Sequence, residues 1–198
     1  MTLITTLANA SARGYGMLRG GASLGAYESI ETFTVGAGGA SSITFGSGGT
    51  IPQTYKHLQL RGILKDSRGV GVLSNAYMQF NSDSGTNYAN HNLYGDGSGI
   101  ASEPQTSMTS MLFANIASAT TTSNMFAGFV TDILDYSSTS KNKTIRTLGG
   151  ADNNGSGQIY FKSGVWMNNT TAVSSITITP LVANFVQYSS IALYGIKG

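Results

Sequence analysis

From Glu31 onward, short runs of alternating apolar and polar residues recur, each closed by Gly, Ser, Asn or Asp. A period of two marks a strand with one buried face. Over 55–65, "YKHLQLRGILK" sends Leu58, Leu60 and Leu64 to one side and His57, Gln59 and Arg61 to the other. "NAYMQFN" at 75–81 sets Ala76, Met78 and Phe80 against Asn75, Tyr77 and Gln79. Further strands are predicted at 88–95, 125–136, in "KTIRTLGG", and at 158–167, 174–180 and 190–196. "TFTV" at 32–35 and "SITF" at 42–45 flank the Gly-rich "GAGGAS" and read as a hairpin. Residues 102–118 fit two templates: Met108, Met111 and Leu112 suit a helix turn, and "SMLFANI" suits a strand.

About nine or ten short strands without a convincing helix predict an all-β fold. Sheets of this kind avoid open edges by closing on themselves. The expectation is an antiparallel two-sheet sandwich, jelly-roll-like, with an extended N-terminal arm. No internal repeat points to a propeller or a β-helix. The final run, "SSIALYGIKG", alternates almost to its last residue. It is expected to pair inside a sheet, which leaves any tether to a larger particle on the N-terminal side.

Residues 1–30 behave differently from 31–198, and we treat them as a separate arm ahead of the sandwich. They hold glycines and small residues, no lasting period, and only Arg13, Arg19 and Glu28 as charges. Tyr15, Met17, Leu18, Leu24, Tyr27 and Ile30 make the segment more apolar than a solvated leader requires. Fully extended, it would span roughly 100 Å, several times the radius of a domain this size. Two readings compete, a disordered leader or an arm ordered by neighbouring subunits, and the apolar content favours the arm.

Composition narrows the partners. Of 198 residues only 10% are charged, 40% are hydrophobic, and the formal net charge is +2. Disordered chains combine low hydrophobicity with high net charge, so this one folds. Low charge also leaves little repulsion between copies, which suits a protein that works inside an assembly. The basic residues form no stripe of the kind nucleic acid demands. No apolar run approaches a membrane span, and no basic segment precedes the short apolar stretch at the start, as a secretory signal would require. Cysteine is absent, so there are no disulfides and no thiolate ligands.

Candidate chemistry is sparse. His57 and His91 each lack a second ligand at metal-binding spacing. Asp132 and Asp135 would have to flank one bond to act as a glycosidase pair, but on a strand they point to opposite faces. "ADNNGSG" at 151–157 has the alternating oxygens of a calcium loop without its later bidentate carboxylate, and reads as a turn. Trp166, with Tyr160, Phe161 and Met167, is read mainly as core or interface, and secondarily as a sugar-stacking platform. No catalytic residue, metal or cofactor is expected.

In order, "YKHLQLRG", "MQFNSDSGTNYANHNLYGDGSG", "VTDILDYSSTSKNKTIRTLGG", "GSGQIYFKSGVWMN", "SSITITP" and "SIALYGIKG" resemble virion structural proteins of tailed bacteriophages, including phages of cyanobacteria. The resemblance covers about residues 27–198. It implies one of two roles: a head decoration (cement) protein, or a tail-fibre or knob module that binds host-surface glycan. Both classes favour jelly-roll-like domains that form trimers. A short arm without a repetitive shaft favours the first, a non-enzymatic homotrimer on the outer surface of the head. Its partners would be itself and the major capsid protein, with Arg13, Tyr15, Arg19 and Tyr27 of the arm expected to contact them. Ordering such an arm costs about 1–2 kcal/mol per residue, so it would take shape only on the assembled shell.

Overall fold

The computed structural model describes residues 25–198, in which every regular element is a strand. The strands are β1 (Tyr27–Thr34), β2 (Ile43–Phe45), β3 (His57–Leu64), β4 (Leu73–Phe80), β5 (Tyr88–Gly95), β6 (Ile100–Met108), β7 (Met111–Ala117), β8 (Ala127–Leu134), β9 (Lys143–Asp152), β10 (Gly157–Trp166), β11 (Ile176–Pro180) and β12 (Ser190–Ile196). They form an eight-stranded sheet, β1-β12-β3-β8-β9-β10-β5-β6, and a four-stranded sheet, β2-β11-β4-β7. Every ladder is antiparallel.

Without β5, β6, β9 and β10, the remaining strands run β1-β12-β3-β8 and β2-β11-β4-β7. That is the double Greek key of an eight-stranded jelly roll. The other four strands are two hairpin insertions, one after β4 and one after β8. They pair with each other through β10 and β5, and so double the width of one sheet.

The strands pack as their alternation demands. Leu58, Leu60 and Leu64 of β3 are buried, as are Ala76, Met78 and Phe80 of β4 and Ile191 and Leu193 of β12. At Gly62 a side chain would press on the Ser190 carbonyl and the Phe129 ring, so this inward position must stay empty. Phe129 packs edge-on against Phe113 of the facing sheet, ring centroids 5.3 Å apart. β12 lies between β1 and β3, paired along its whole length.

The structure adjusts three details of the sequence reading. β1 and β2 do not form a hairpin, because they lie in different sheets. β1 pairs with β12, and the Gly-rich link crosses the sandwich, anchored by a bridge between Ala40 and Phe185. Alternation reveals a strand but not its partner, which is why the two were coupled. Residues 102–118 contain no helix turn: they complete β6 and supply β7. β6 went unrecognised because it is an edge strand, largely exposed and interrupted by Pro104, and it is held by its backbone ladder to β5. Residues 27–30, counted with the arm, belong to β1, another edge strand with little burial to reveal it.

The insertions also bury charge. Lys162, on the inner face of β10, is 2% exposed and donates to Asn92 Oδ1 at 3.1 Å. Burial pushes its ammonium down to about 8. Close by in the ladder, Asn90 Oδ1 and Gln105 Oε1 are buried without a protein partner. Lys143, buried on β9, donates to the Lys141 and Asn168 carbonyls at 3.1 and 2.9 Å. Burial lowers its ammonium too.

Two predictions follow from this packing. A side chain at Gly149 would meet the Tyr160 hydroxyl, which donates to the Asn115 carbonyl, whereas one at Gly128 on the neighbouring strand meets nothing. Gly149→Ala should therefore lower the unfolding free energy by ~1–3 kcal/mol, and Gly128→Ala should leave it unchanged or raise it slightly, as read by chemical denaturation. The second concerns pH. A lysine with a lowered pKa binds fewer protons folded than unfolded, so stability rises with pH between about 8 and the unfolded value of 10.5. Buried tyrosines oppose this as pH nears the ordinary tyrosine value of about 10: burial pushes Tyr88 up to about 12 and raises Tyr160 as well. Stability should therefore climb by about 1 kcal/mol between pH 8 and 9, and Lys162→Met should remove most of the climb, leaving the Lys143 share.

Candidate interaction face

The outer face of the eight-stranded sheet is the broadest feature of the molecule, and cross-strand register sorts its side chains into rows. One row is polar: Tyr194, Gln59, Asp132, Arg146, Ser163 and His91 lie side by side on β12, β3, β8, β9, β10 and β5. Two residues along each strand lies a second row. It starts with Ala192 and Arg61 and continues as Val130, Leu148, Phe161 and Leu93. Those four apolar residues each expose between 40% and 58% of their surface.

Along these two rows Arg61, Asp132 and Arg146 are already partnered. The Arg61 guanidinium lies 5.0 Å from the Tyr27 ring centroid and 5.6 Å from that of Tyr194, a cation–π arrangement worth about 0.5–1 kcal/mol at an exposed site. Its Nε donates to Gln59 Oε1, and Gln59 Nε2 donates to Asp132 Oδ1 at 2.6 Å. Arg146 Nε donates to Asp132 Oδ2 at 2.9 Å. The result is one connected band from Tyr27 on β1 to Arg146 on β9. This is where the structure places Tyr27; Arg13, Tyr15 and Arg19 lie outside the described residues.

The carboxylates have structural duties. Asp132 is held between Gln59 and Arg146 on the outer face. Asp135 lies past the end of β8 with φ of 51°, a turn residue. Its backbone N–H donates to His57 Nδ1 at 3.0 Å, and Lys141 Nζ donates to its Oδ2 at 2.9 Å. The Lys141 hydrogen bond holds the Asp135 carboxyl below the usual range. Asp83 accepts from Asn87 and from Trp166 Nε1, and these bonds lower it too. Asp66 is fully buried, and burial pushes its carboxyl up. Residues 151–157 form the β9–β10 turn, in which Asp152 Oδ1 accepts from the Asn154 N–H at 2.8 Å. Among the described residues, no three His, Asp or Glu side chains converge as a metal site requires.

The aromatic group around Trp166 separates into two roles. Trp166 and Tyr160 are core residues, and Trp166 stacks near-parallel on Tyr88 with centroids 6.4 Å apart. Phe161 and Met167 are exposed. No platform joins the four.

Sequence reading missed the apolar row. The signal was available: in "GQIYFKSG" both the inward Tyr160 and the outward Ile159 and Phe161 are apolar, the pattern of a strand covered on both faces. Chemically, such an apolar row can hold a partner by contact area and shape. No protein family, curated protein or solved structure matches the chain.

Proposed function

We propose that the protein is a non-enzymatic virion component, a decoration or cement protein that forms trimers on a phage head and stabilises the shell through its N-terminal arm. The observation that carries this reading is the outer face of the eight-stranded sheet. Its Arg61, Asp132 and Arg146 are tied together through Gln59 and a direct ion pair, and its apolar residues face outward in register. A surface of that kind suits contact with other subunits. Cementing needs area and many modest contacts, and standard interfaces bury roughly 1,200–2,000 Å². Residues 1–24 enter this body through β1, an edge strand of the sheet, next to the Tyr27–Arg61–Tyr194 cluster. That attachment suits an arm reaching across a neighbouring surface. The resemblance to phage virion proteins supplies the head as the place of work. The alternative, recognition of host-surface glycan at the tail, loses the aromatic platform that motivated it, because Trp166 and Tyr160 are core.

The test is removal of residues 1–24, which leaves β1 whole. The shortened protein should keep its β-type circular dichroism and its self-association, while its binding to empty capsids, measured by co-sedimentation, falls at least tenfold. Binding equal to that of the full chain would refute the role of the arm.

A further inference from the structure

The apolar row has a complement on the same face. Two residues further along each strand, Gly128, Gly150 and Gly95 stand where Val130, Leu148 and Leu93 stand in the first row. Ile159 and Ile100 alternate with these glycines and rise from the row, 67% and 82% exposed. The face is therefore a line of large side chains beside a line of pits. The deepest part is an open depression of about 680 Å³ lined by Leu148, Ile159 and Phe126 with Gly95 and Gly150.

We infer that this end of the outer sheet face is covered by the same face of a second copy of the chain, related by a two-fold axis that runs across the strands. Such an axis reverses strand direction while keeping each strand over its counterpart. It lays Leu148 on the partner copy's Gly150, Val130 on its Gly128 and Leu93 on its Gly95, so that large residues enter pits on β8, β9 and β5, while on β10 it brings Phe161 against the partner copy's Ile159, an apolar contact of two large side chains. The same operation brings the border that carries Arg146 over the border that carries Asp152, opposite charges on opposite margins of β9. Between those borders, from β8 to β6, the two rows contain no charged residue, so no like charges are buried face to face there.

Size agrees with this. Taking ~200 Å² for a large side chain, Leu93, Ile100, Val130, Leu148, Ile159 and Phe161 together present roughly 600–700 Å² to water. That is at or above the roughly 300–600 Å² of the largest patch on an ordinary monomer, and close to the ~800 Å² per partner of a standard interface. Addition of a strand at the neighbouring edge is disfavoured, because Pro104 in the middle of β6 has no N–H to offer. The face, not the edge, is the part open to a second copy. A two-fold contact is distinct from the three-subunit contact proposed above and does not depend on it; on a shell it would join one trimer to the next.

Mass in solution and a single introduced cysteine test this on the full chain, which has no cysteine of its own. By sedimentation, the protein should contain an even number of copies. Leu148→Lys, at an exposed site, should halve that number and raise the dissociation constant at least tenfold. Gly128→Leu should do the same by filling a pit that is open in the single chain, and both variants should keep the parent circular dichroism. Ile159→Cys lies next to the axis, so a short bismaleimide should link two copies; Thr144→Cys, exposed at the far end of β9, should stay unlinked. A monomer at every concentration up to ~100 µM would overturn the inference, as would equal linking at both cysteines. A trimer whose mass Leu148→Lys does not change would overturn it while leaving the three-subunit reading intact. A dimer that is halved by Leu148→Lys would support it and count against the trimer.

Discussion

The ladder between β10 and β5 is the constraint on which the rest of this structure depends. Trp166 pairs with Tyr88 at one end and Ile159 with Gly95 at the other, joining two hairpin insertions through residues some seventy apart in the chain. Closing a loop of that length costs more entropy than a local turn, but the cost grows only with the logarithm of its length. Along the ladder, Trp166 lies against Tyr88 and Phe80, Lys162 reaches Asn92, and Phe161 comes beside Leu93. The core aromatic cluster, the buried ammonium and the outer apolar row are three consequences of one register. A slip of one residue would exchange the two faces of β10, sending Lys162 outward and Phe161 into the core.

That register carries an evident cost. Burying an ammonium in a sandwich opposes folding unless its donors are met, and Lys162 has one amide oxygen while two buried amide oxygens nearby have no protein partner. An apolar side chain would stabilise the insertion more. The polar set on β5 and β10 does give the hairpins a preference for one pairing, since Asn92 meets Lys162 only in this register. Specificity of pairing matters most in wide sheets whose outer face is also apolar, because there hydrophobicity alone does not tell one face from the other.

How much of this was legible in the sequence follows from where each strand sits. β3, β4 and β12 lie inside sheets with one face on the core, so their alternation is clean, and Leu58, Met78 and Leu193 were placed correctly. The jelly-roll architecture followed from them. Edge strands are held by backbone bonds and need no pattern, so β6 and the start of β1 left little trace. Pairing partners were not legible either, and β1 was matched to β2 because they are adjacent in the chain. The outer row was hidden for another reason. Phe161 was grouped with Trp166, Tyr160 and Met167 as core or interface, and only the ladder shows that its neighbour on this surface is Leu148. Arg13, Tyr15 and Arg19, expected to contact partners, lie outside the described residues, and the band around Tyr27 owes its form to Arg61 and Tyr194, which no local motif connects to it.

Bound carboxylates and an uncovered apolar row are in opposite conditions. A general acid or base needs a titratable group free to exchange its proton with a substrate. Here Asp132 is bound by Gln59 and Arg146, Asp135 by Lys141, and Asp83 by Trp166 and Asn87. Each bond takes up lone pairs that a reaction would use. The apolar row is in the opposite condition. Its side chains are held in fixed register by the ladders beneath them, so covering them would cost less ordering entropy than covering a mobile loop would. On this face, the largest gain in free energy still open to the folded chain is removal of Leu148, Phe161 and their neighbours from water.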